Sequence, residues 1–256
     1  MVKKRINLQK IINKKIYFAG DFHLGRPDKV SSKLREKKII SWLNSINNDA
    51  QDIFLLGDVF DFWFEYDNVI PKDNLRFLST ISDMIEEGIN FHYFLGNHDL
   101  WVRSYFKELG INIYEEPQEF LIDEKIFLVG HGDGLGPGDI AYKTLKKVFF
   151  KNKILQFFYR WIHPDIGIPI GKYLSNSKKE MNISGNAKKN DDRIINYCKK
   201  CLDVKEINFF IFGHSHYKNK FKFSEKSTYY NCGEWINGSS YLEYDDGKFK
   251  LLDFKN

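Results

Sequence analysis

The sequence has few cysteines and no long apolar run, and each shortage excludes a class of protein. It contains three cysteines in 256 residues, and Cys198 and Cys201 form its one C-x-x-C pair. A structural zinc site would lack ligands, so the pair is better explained as one face of a helix. No stretch reaches the roughly 18 consecutive apolar residues of a membrane span, and no apolar signal core follows the basic N-terminus. We therefore expect a cytoplasmic protein with reduced thiols.

The sequence also lacks a strong excess of one charge. Its 39 basic and 34 acidic residues give a net charge of +5, which is too small to indicate a nucleic-acid partner. A mildly basic protein does fit an anionic substrate or an anionic membrane surface. Hydrophobic residues make up 43% of the chain and aromatic residues 16%, enough for a large core. We predict a single domain over residues 1–256.

What the sequence does contain is five short apolar runs, each followed by glycine and then by Asp, Asn or His. The central one is Ile53 to Leu56, followed by Gly57 and Asp58. Such runs are typical of strands buried on both faces, and open α/β sheets bind ligands beyond the C-terminal ends of their strands. If the strands share one sheet, their ends meet at one rim. The polar residues expected at that rim are Asp21, His23, Asp58, Asn97, His98, His131, His214 and His216.

This residue set predicts a dinuclear metal centre. Imidazole and carboxylate ligands without thiolate suit borderline divalent ions, and we expect Mn²⁺ first, with Fe or Zn as alternatives. The ligands are too many for one tetrahedral ion, whereas two ions sharing a carboxylate would use them all. Asp58 is the expected bridge because it ends a central strand. A turn or helix cap would explain any one of these residues alone, but not the whole set.

The remaining pattern predicts an α/β fold. Residues 31–48 and 72–88 have amphipathic-helix spacing, so the chain begins β-α-β-α-β with a parallel sheet. Residues 111–129 and 228–254 contain shorter, alternating strands that are partly antiparallel. Two facing mixed β-sheets with helices outside are the simplest assembly.

The segment from about 134 to 190 does not fit that scheme. It opens with a glycine-rich stretch, continues with many aromatic residues interleaved with Lys and Arg, and has few acids. One interpretation is a helical lid whose apolar chamber and basic face receive a phosphate-bearing lipid. The protein would then be peripheral on the cytoplasmic face of the inner membrane. The alternative is a helical pair whose apolar face covers the sheet and whose lysines are solvated. The aromatic residues singled out are Phe149, Phe150, Phe157, Phe158 and Trp161.

The motif series resembles the calcineurin-like metallophosphoesterases, with the motifs in that family's order across most of the chain. The motifs are Asp21-x-His23, Gly57-Asp58-x-x-Asp61, Gly96-Asn97-His98-Asp99, Gly130-His131 and Gly213-His214-Ser215-His216. The resemblance implies a four-layer α/β/β/α metallophosphoesterase sandwich with a helical lid insertion and two metals at the strand ends. It assigns the first metal to Asp21, His23, Asp58 and His216. It assigns the second metal to Asp58, Asn97, His131 and His214.

Within that superfamily the chain is most similar to the UDP-2,3-diacylglucosamine hydrolases (diphosphatases) of lipid A biosynthesis. The similarity lies in the length, the His131-Gly132-Asp133-Gly134 block and the aromatic, basic insertion that begins Asp139-x-x-Tyr142. It implies hydrolysis of the pyrophosphate bond of UDP-2,3-diacylglucosamine, giving UMP and 2,3-diacylglucosamine 1-phosphate (lipid X). It also implies that the lid receives the acyl chains. The expected partner is this nucleotide-linked glycolipid, with no nucleic acid and no obligate protein partner.

The residue after Asn97 departs from the pattern of that group, whose members often carry Arg where this chain has His98. In other metallophosphoesterases a His here pairs with the following Asp and can donate a proton to the leaving group. The resemblance therefore assigns catalytic roles to Asn97, His98 and Asp99. Two alternatives stay open: a metallophosphodiesterase or phosphatase acting on a soluble nucleotide or other phosphoester, and a non-catalytic scaffold. The scaffold would be expected to have lost ligands, and none is lost.

Overall fold

The computed structural model describes residues 5–137, 143–144, 148, 152–177 and 183–255. Predicted features that fall on the other residues, including Phe149, Phe150, Asp139 and Tyr142, lie outside this part of the chain. The strands and helices described are, in order, β1 (Ile6–Asn7), β2 (Lys15–Ala19), α1 (Lys29–Ile46), β3 (Ala50–Leu55), α2 (Leu75–Glu86), β4 (Asn90–Phe94), α3 (Tyr105–Glu108), β5 (Asn112–Tyr114), β6 (Gln118–Ile122), β7 (Lys125–Val129), α4 (Lys153–Arg160), α5 (Pro164–Ser177), α6 (Ile183–Leu202), β8 (Phe209–Phe212), β9 (Asn219–Ser224), β10 (Ser227–Asn231), β11 (Ser240–Asp245) and β12 (Lys248–Asp253).

The strands form two mixed six-stranded sheets, as predicted. One has the order β12-β11-β2-β3-β4-β5, and the other has the order β1-β6-β7-β8-β10-β9. In the first sheet β2 to β5 run parallel, and β11 and β12 add an antiparallel edge. The five motif-bearing strands do not share one sheet, which corrects the simpler expectation. Three belong to the first sheet and two, β7 and β8, to the second, so two sheets together form the rim.

Three apolar clusters make a four-layer α/β/β/α arrangement. Phe18 and Phe54 of the first sheet meet Phe127 and Ile211 of the second in the cluster between the sheets. Successive residues of a strand point to opposite faces, so Tyr17 and Ala19 instead join a cluster with residues of α1 and α2. Because both faces are covered, the strands appear in the sequence as continuous apolar runs.

Helix α6 covers the outer face of the second sheet. Its Ile194, Cys198 and Cys201 are buried with Phe210 and Tyr229 of the sheet. The C-x-x-C pair is therefore one face of a packed helix, and this prediction is confirmed.

Two strands were missed in the sequence. β1 pairs in parallel with β6 through two residues, which is too short to show a period in the sequence. β9 lies at the edge of the second sheet beside β10, and it alternates Lys with Phe. Lysine on an exposed edge strand discourages pairing with other chains. The lysines therefore suit an edge position, although they interrupt the apolar pattern by which a strand is recognised in the sequence.

The 134–190 segment contains α4, α5 and the first turns of α6. Its predicted end at residue 190 falls inside α6, whose later turns pack against the second sheet. Among the residues that the structure describes, no helix combines the length and the apolar character needed to cross a bilayer.

Candidate metal centre

The loops after β2, β3, β7 and β8 bring the predicted His and Asp ligands together in two groups. In each group the potential ligand atoms all lie within 4.8 Å of one another. The first group is Asp21, His23, Asp58 and His216, and the second is Asp58, His131 and His214. Because Asp58 belongs to both, the arrangement suits a dinuclear metal site.

Asp58 approaches both groups with the same carboxylate oxygen. Its Oδ2 lies 3.7 Å from His23 Nε2 and 3.6 Å from His131 Nε2. The other oxygen, Oδ1, accepts a hydrogen bond of 2.8 Å from the backbone N–H of His98. One carboxylate oxygen therefore faces an imidazole of each group, as a bridging ligand would.

Three of the potential ligand atoms are available to an ion. Asp21 Oδ1, Asn97 Oδ1 and His131 Nε2 are buried and have no hydrogen-bond partner among the described residues. Such atoms are uncommon in native proteins because each forfeits its solvation. His131 donates its Nδ1 proton to the Leu56 carbonyl over 2.6 Å, which leaves Nε2 as the ligand atom. The residues present therefore fit two divalent ions.

Five of these residues share an unusual backbone conformation. The φ angles are +51° at Asp21, +45° at His23, +48° at Asp58, +65° at His214 and +57° at His216. Side-chain-bearing residues adopt this left-handed region at a cost of about 1–3 kcal/mol each, and such residues cluster at functional sites. The loops thus hold these side chains in orientations that relaxed strand ends would not give.

Two motif glycines allow the carboxylates to approach. A Cβ atom at residue 96 would lie 2.2 Å from Asp58 Oδ1, and one at residue 213 would lie 2.6 Å from Asp21 Oδ2. Both distances are shorter than any ordinary contact, so Gly96 and Gly213 leave the space that these side chains occupy.

The charges of these side chains follow from burial and proximity. Burial favours the neutral form of Asp58, but the nearby His131 and His98 outweigh it and hold its pKa well below the usual value. Although burial disfavours its charge, His131 has a pKa raised to about 10 by the Asp58 carboxylate. Burial, followed by repulsion from His131, lowers the pKa of His214 to about 4. An ion binding here must therefore displace a proton from His131.

His98 and Asp99 lie at the site but do not pair as expected. The Asp99 carboxylate accepts hydrogen bonds from the backbone N–H groups of Val59 (2.9 Å) and Gly96 (2.6 Å) and from the Tyr93 hydroxyl. His98 Nδ1 instead lies 3.0 Å from the Asp61 carbonyl oxygen. The expectation that Asp99 orients His98 is therefore wrong, because buried backbone donors occupy its carboxylate.

Sequence analysis assigned no role to Asp61 or Ser175, yet both contact histidines of the site. Asp61 Oδ1 lies 3.6 Å from His23 Nδ1, and the Ser175 hydroxyl donates to the Asp61 carbonyl over 2.5 Å. Ser175 Oγ is also 2.9 Å from His98 Nδ1. The Gly-Asp-x-x-Asp spacing pointed to Asp61, whereas nothing local marked Ser175, which comes from α5.

The α5 helix rests on the site through small residues one turn apart. A Cβ atom at residue 171 would lie 2.1 Å from the Phe62 ring, and one at residue 167 would lie 2.3 Å from the Tyr66 hydroxyl. With Ser175, these glycines make a face that approaches the loop after β3 closely.

Helix α4 presents aromatic side chains outward. Tyr159 packs on Phe64 and Trp101, with ring centroids 4.7 and 5.0 Å apart. By contrast, Phe157, Phe158 and Trp161 are 50%, 64% and 78% exposed. Only one side of α4 is therefore committed to packing against the rest of the described chain.

Comparison with known proteins gives consistent matches. The family model described as calcineurin-like phosphoesterase matches residues 14–218. A Porphyromonas gingivalis protein named UDP-2,3-diacylglucosamine hydrolase is 30% identical over 252 residues, covering 90% of this chain and 94% of that protein. A Vibrio atlanticus protein of the same name is 25% identical over 248 residues, covering 93% of this chain and 96% of its own length.

Proposed function

The chain belongs to the calcineurin-like phosphoesterase family, and we propose that it hydrolyses UDP-2,3-diacylglucosamine to UMP and 2,3-diacylglucosamine 1-phosphate. It is a hydrolase of phosphoester or pyrophosphate bonds. The observation that carries the proposal is the pair of ligand groups that share Asp58, whose Oδ2 lies 3.7 Å from an imidazole of one group and 3.6 Å from an imidazole of the other. Relatives named for this reaction that match most of the chain support the choice of substrate.

The metal ligands follow from the two groups. We assign one ion to Asp21, His23, Asp58 and His216 and the second to Asp58, Asn97, His131 and His214, with Mn²⁺ as the favoured metal. When bound, such a pair of ions supplies a water of lowered pKa and neutralises charge on the phosphoryl oxygens.

The Gly96–Asp99 loop positions the groups that would meet the phosphoryl group. Asp99 holds the loop by accepting from the N–H of Gly96 and from that of Val59. The Nδ1 proton of His98 is directed at the Asp61 carbonyl, and burial lowers the pKa of this imidazole. His98 therefore enters the reaction as a neutral ring, and a proton on its Nε2 would have to be acquired when the anionic substrate binds.

The 134–190 segment supplies the lipid specificity in this proposal. The exposed aromatic residues of α4 face outward beside Lys153, a cation at the start of the same helix. Apolar side chains with neighbouring cations suit acyl chains and an anionic membrane surface. The protein would then act in the cytoplasm as a peripheral protein of the inner membrane.

The test compares two substrates in one protein. Phe157→Asp should lower kcat/KM for UDP-2,3-diacylglucosamine by at least tenfold, because each buried CH₂ contributes about 0.8 kcal/mol to lipid binding. Hydrolysis of bis(p-nitrophenyl) phosphate, which needs only the metal centre, should change less than twofold. UDP-glucosamine without acyl chains should be a poor substrate of the unaltered protein.

Phe221→Asp is the matched control, because Phe221 is 38% exposed on the edge strand β9 and lies outside the 134–190 segment. It should affect neither substrate. Equal losses on both substrates with Phe157→Asp, or equal cleavage of acylated and deacylated substrate, would contradict the lipid assignment.

A second candidate is hydrolysis of a soluble nucleotide or other phosphoester. His98 favours it, because a His rather than an Arg follows Asn97. The same two-substrate comparison separates the candidates, since a soluble nucleotide would be cleaved without any contribution from Phe157.

A further inference from the structure

A carboxylate outside all the metal-binding motifs lies buried beneath the second-sheet side of the site. Asp191 of α6 is 1% exposed. Its Oδ1 accepts from Ser215 Oγ (3.1 Å), the Tyr229 hydroxyl (2.6 Å) and Asn231 Nδ2 (3.2 Å), and its Oδ2 accepts from Asn219 Nδ2 (2.7 Å). Burying a charged group is costly unless it is fully hydrogen-bonded. The four donors around Asp191 supply the hydrogen bonds that a buried carboxylate requires.

The hydrogen bonds of Asp191 lead directly to the loop that carries two predicted ligands. Ser215 separates His214 from His216, and its Oγ also accepts from the N–H of Tyr217 over 3.2 Å. Asn231 Nδ2 reaches the Gly213 carbonyl at 2.8 Å and Ser215 Oγ at 2.9 Å. The carboxylate and Asn231 therefore hold the Gly213–His216 loop at Gly213, before its two histidines, and at Ser215, between them.

The backbone conformation of the Gly213–His216 loop must be fixed by its surroundings. His214 and His216 both have positive φ, at +65° and +57°, a conformation that persists only where the surroundings fix it. On the metal side, Asp21 Oδ2 accepts from the His214 backbone N–H over 2.8 Å. Ser215, on the opposite side, is tied to Asp191. With that tie removed, the loop could relax and turn both imidazoles away from their groups.

We propose that Asp191 is a positioning residue that fixes the Gly213–His216 loop and thereby sets the affinity of the centre for divalent metal. A carboxylate is required because its four partners, Ser215, Asn219, Tyr229 and Asn231, all donate to it, and an uncharged small side chain would leave these donors unpaired. The inference rests on the proposed metal ligands and is independent of the lipid substrate.

The test is a titration in which Mn²⁺ alone is added to chelator-stripped protein and the binding is measured by isothermal titration calorimetry. Asp191→Ala should weaken binding by about 10–100-fold, the usual effect of removing a partner that orients a ligand. Tyr229→Phe is the matched control, because it removes a buried hydroxyl that donates to the same carboxylate but does not reach the loop. It should leave the Mn²⁺ affinity within twofold.

Ser215→Ala keeps the test decisive if Asp191→Ala does not fold, because it leaves the carboxylate in place and removes the hydroxyl that joins it to the loop, together with the hydrogen bonds which that hydroxyl accepts from Asn231 and Tyr217. It should also weaken Mn²⁺ binding at least tenfold, and both variants should regain hydrolysis of bis(p-nitrophenyl) phosphate at raised Mn²⁺. Folded variants with a lower unfolding temperature and unchanged Mn²⁺ affinity would overturn the inference. His216→Ala tests the ligands separately: if it binds Mn²⁺ as the unaltered protein does, the metal assignment itself fails.

Discussion

At the residue scale, the candidate centre depends on side chains that are fixed by contacts remote in sequence. Strand ends followed by glycine and a polar residue were enough to predict that these Asp and His side chains would lie close together. The sequence could not show that five of them take positive φ. Nor could it show that Asp61, Ser175 and Asp191 hold their neighbours, because those contacts join residues far apart in the chain.

His98 gives the first prediction at this scale. His98→Ala should lower kcat/KM for UDP-2,3-diacylglucosamine by about 10²-fold, the lower end of what a positioned acid or base contributes. Mn²⁺ content should not change, because His98 belongs to neither of the two groups that share Asp58, and its Nδ1 lies 3.0 Å from the Asp61 carbonyl oxygen. His163→Ala, which alters an exposed histidine, should behave as the unaltered protein. An unchanged kcat/KM in the His98 variant would remove this residue from the reaction.

The pH dependence of the metal-free protein follows from His131. Its pKa is about 10 in the folded chain, against roughly 6.5 when unfolded. A pKa raised by folding stabilises the protein fully below the unfolded value, and this stabilisation is lost as the pH rises toward the folded one. The thermal midpoint of chelator-treated protein should therefore fall between pH 7 and pH 10.

Mn²⁺ affinity should rise over the same window, since the ion competes with the His131 proton. Scanning fluorimetry with and without Mn²⁺ measures both effects. His131→Asn should flatten the metal-free profile. If the unaltered protein has an equally flat profile, the charged Asp58–His131 pair is absent from the folded state.

At the element scale, the apolar runs predicted the central strands because burial on both faces leaves little polar alternation. β1 and β9 were missed because one is two residues long and the other alternates Lys with Phe at a sheet edge. The close approach of α5 was also missed, although Gly167, Gly171 and Ser175 are spaced one turn apart. Small residues spaced one turn apart indicate a close-packed helix face only when the residues that pack against that face are known.

Gly171 gives the prediction for this helix. Gly171→Ala would place a Cβ atom 2.1 Å from the Phe62 ring, so the ring or α5 must shift, and we expect α5 to move and carry Ser175 away from His98. A displacement of about 1 Å can cost up to 10²-fold in rate, and we expect a loss of at least tenfold in kcat/KM for the lipid substrate. Steady-state kinetics at saturating Mn²⁺ measures the loss.

The compensating variant distinguishes displacement of the helix from general damage. Phe62→Ala combined with Gly171→Ala frees the space beneath α5, so the pair should recover part of the loss relative to Gly171→Ala alone. Additive losses would show that contact with Phe62 does not set the position of the helix.

At the scale of the whole molecule, the candidate site lies where two sheets end side by side. β2, β3 and β4 deliver Asp21, His23, Asp58 and Asn97 from one sheet, and β7 and β8 deliver the remaining histidines from the other. The sequence predicted two facing sheets but could not tell which strands joined which sheet, because pairing between distant strands leaves no local pattern. The outward aromatic face of α4 adds the surface on which the lipid proposal depends.

The most direct measurement is incubation of Mn²⁺-loaded protein with UDP-2,3-diacylglucosamine, with the products followed by ³¹P NMR. We expect equimolar UMP and 2,3-diacylglucosamine 1-phosphate. For Asp58→Ala we expect no turnover and fewer than two bound Mn²⁺ ions per chain, because the oxygen between the two groups is lost. Intact UDP-2,3-diacylglucosamine in a sample that still hydrolyses bis(p-nitrophenyl) phosphate would contradict the proposed reaction and assign the centre to another phosphoester.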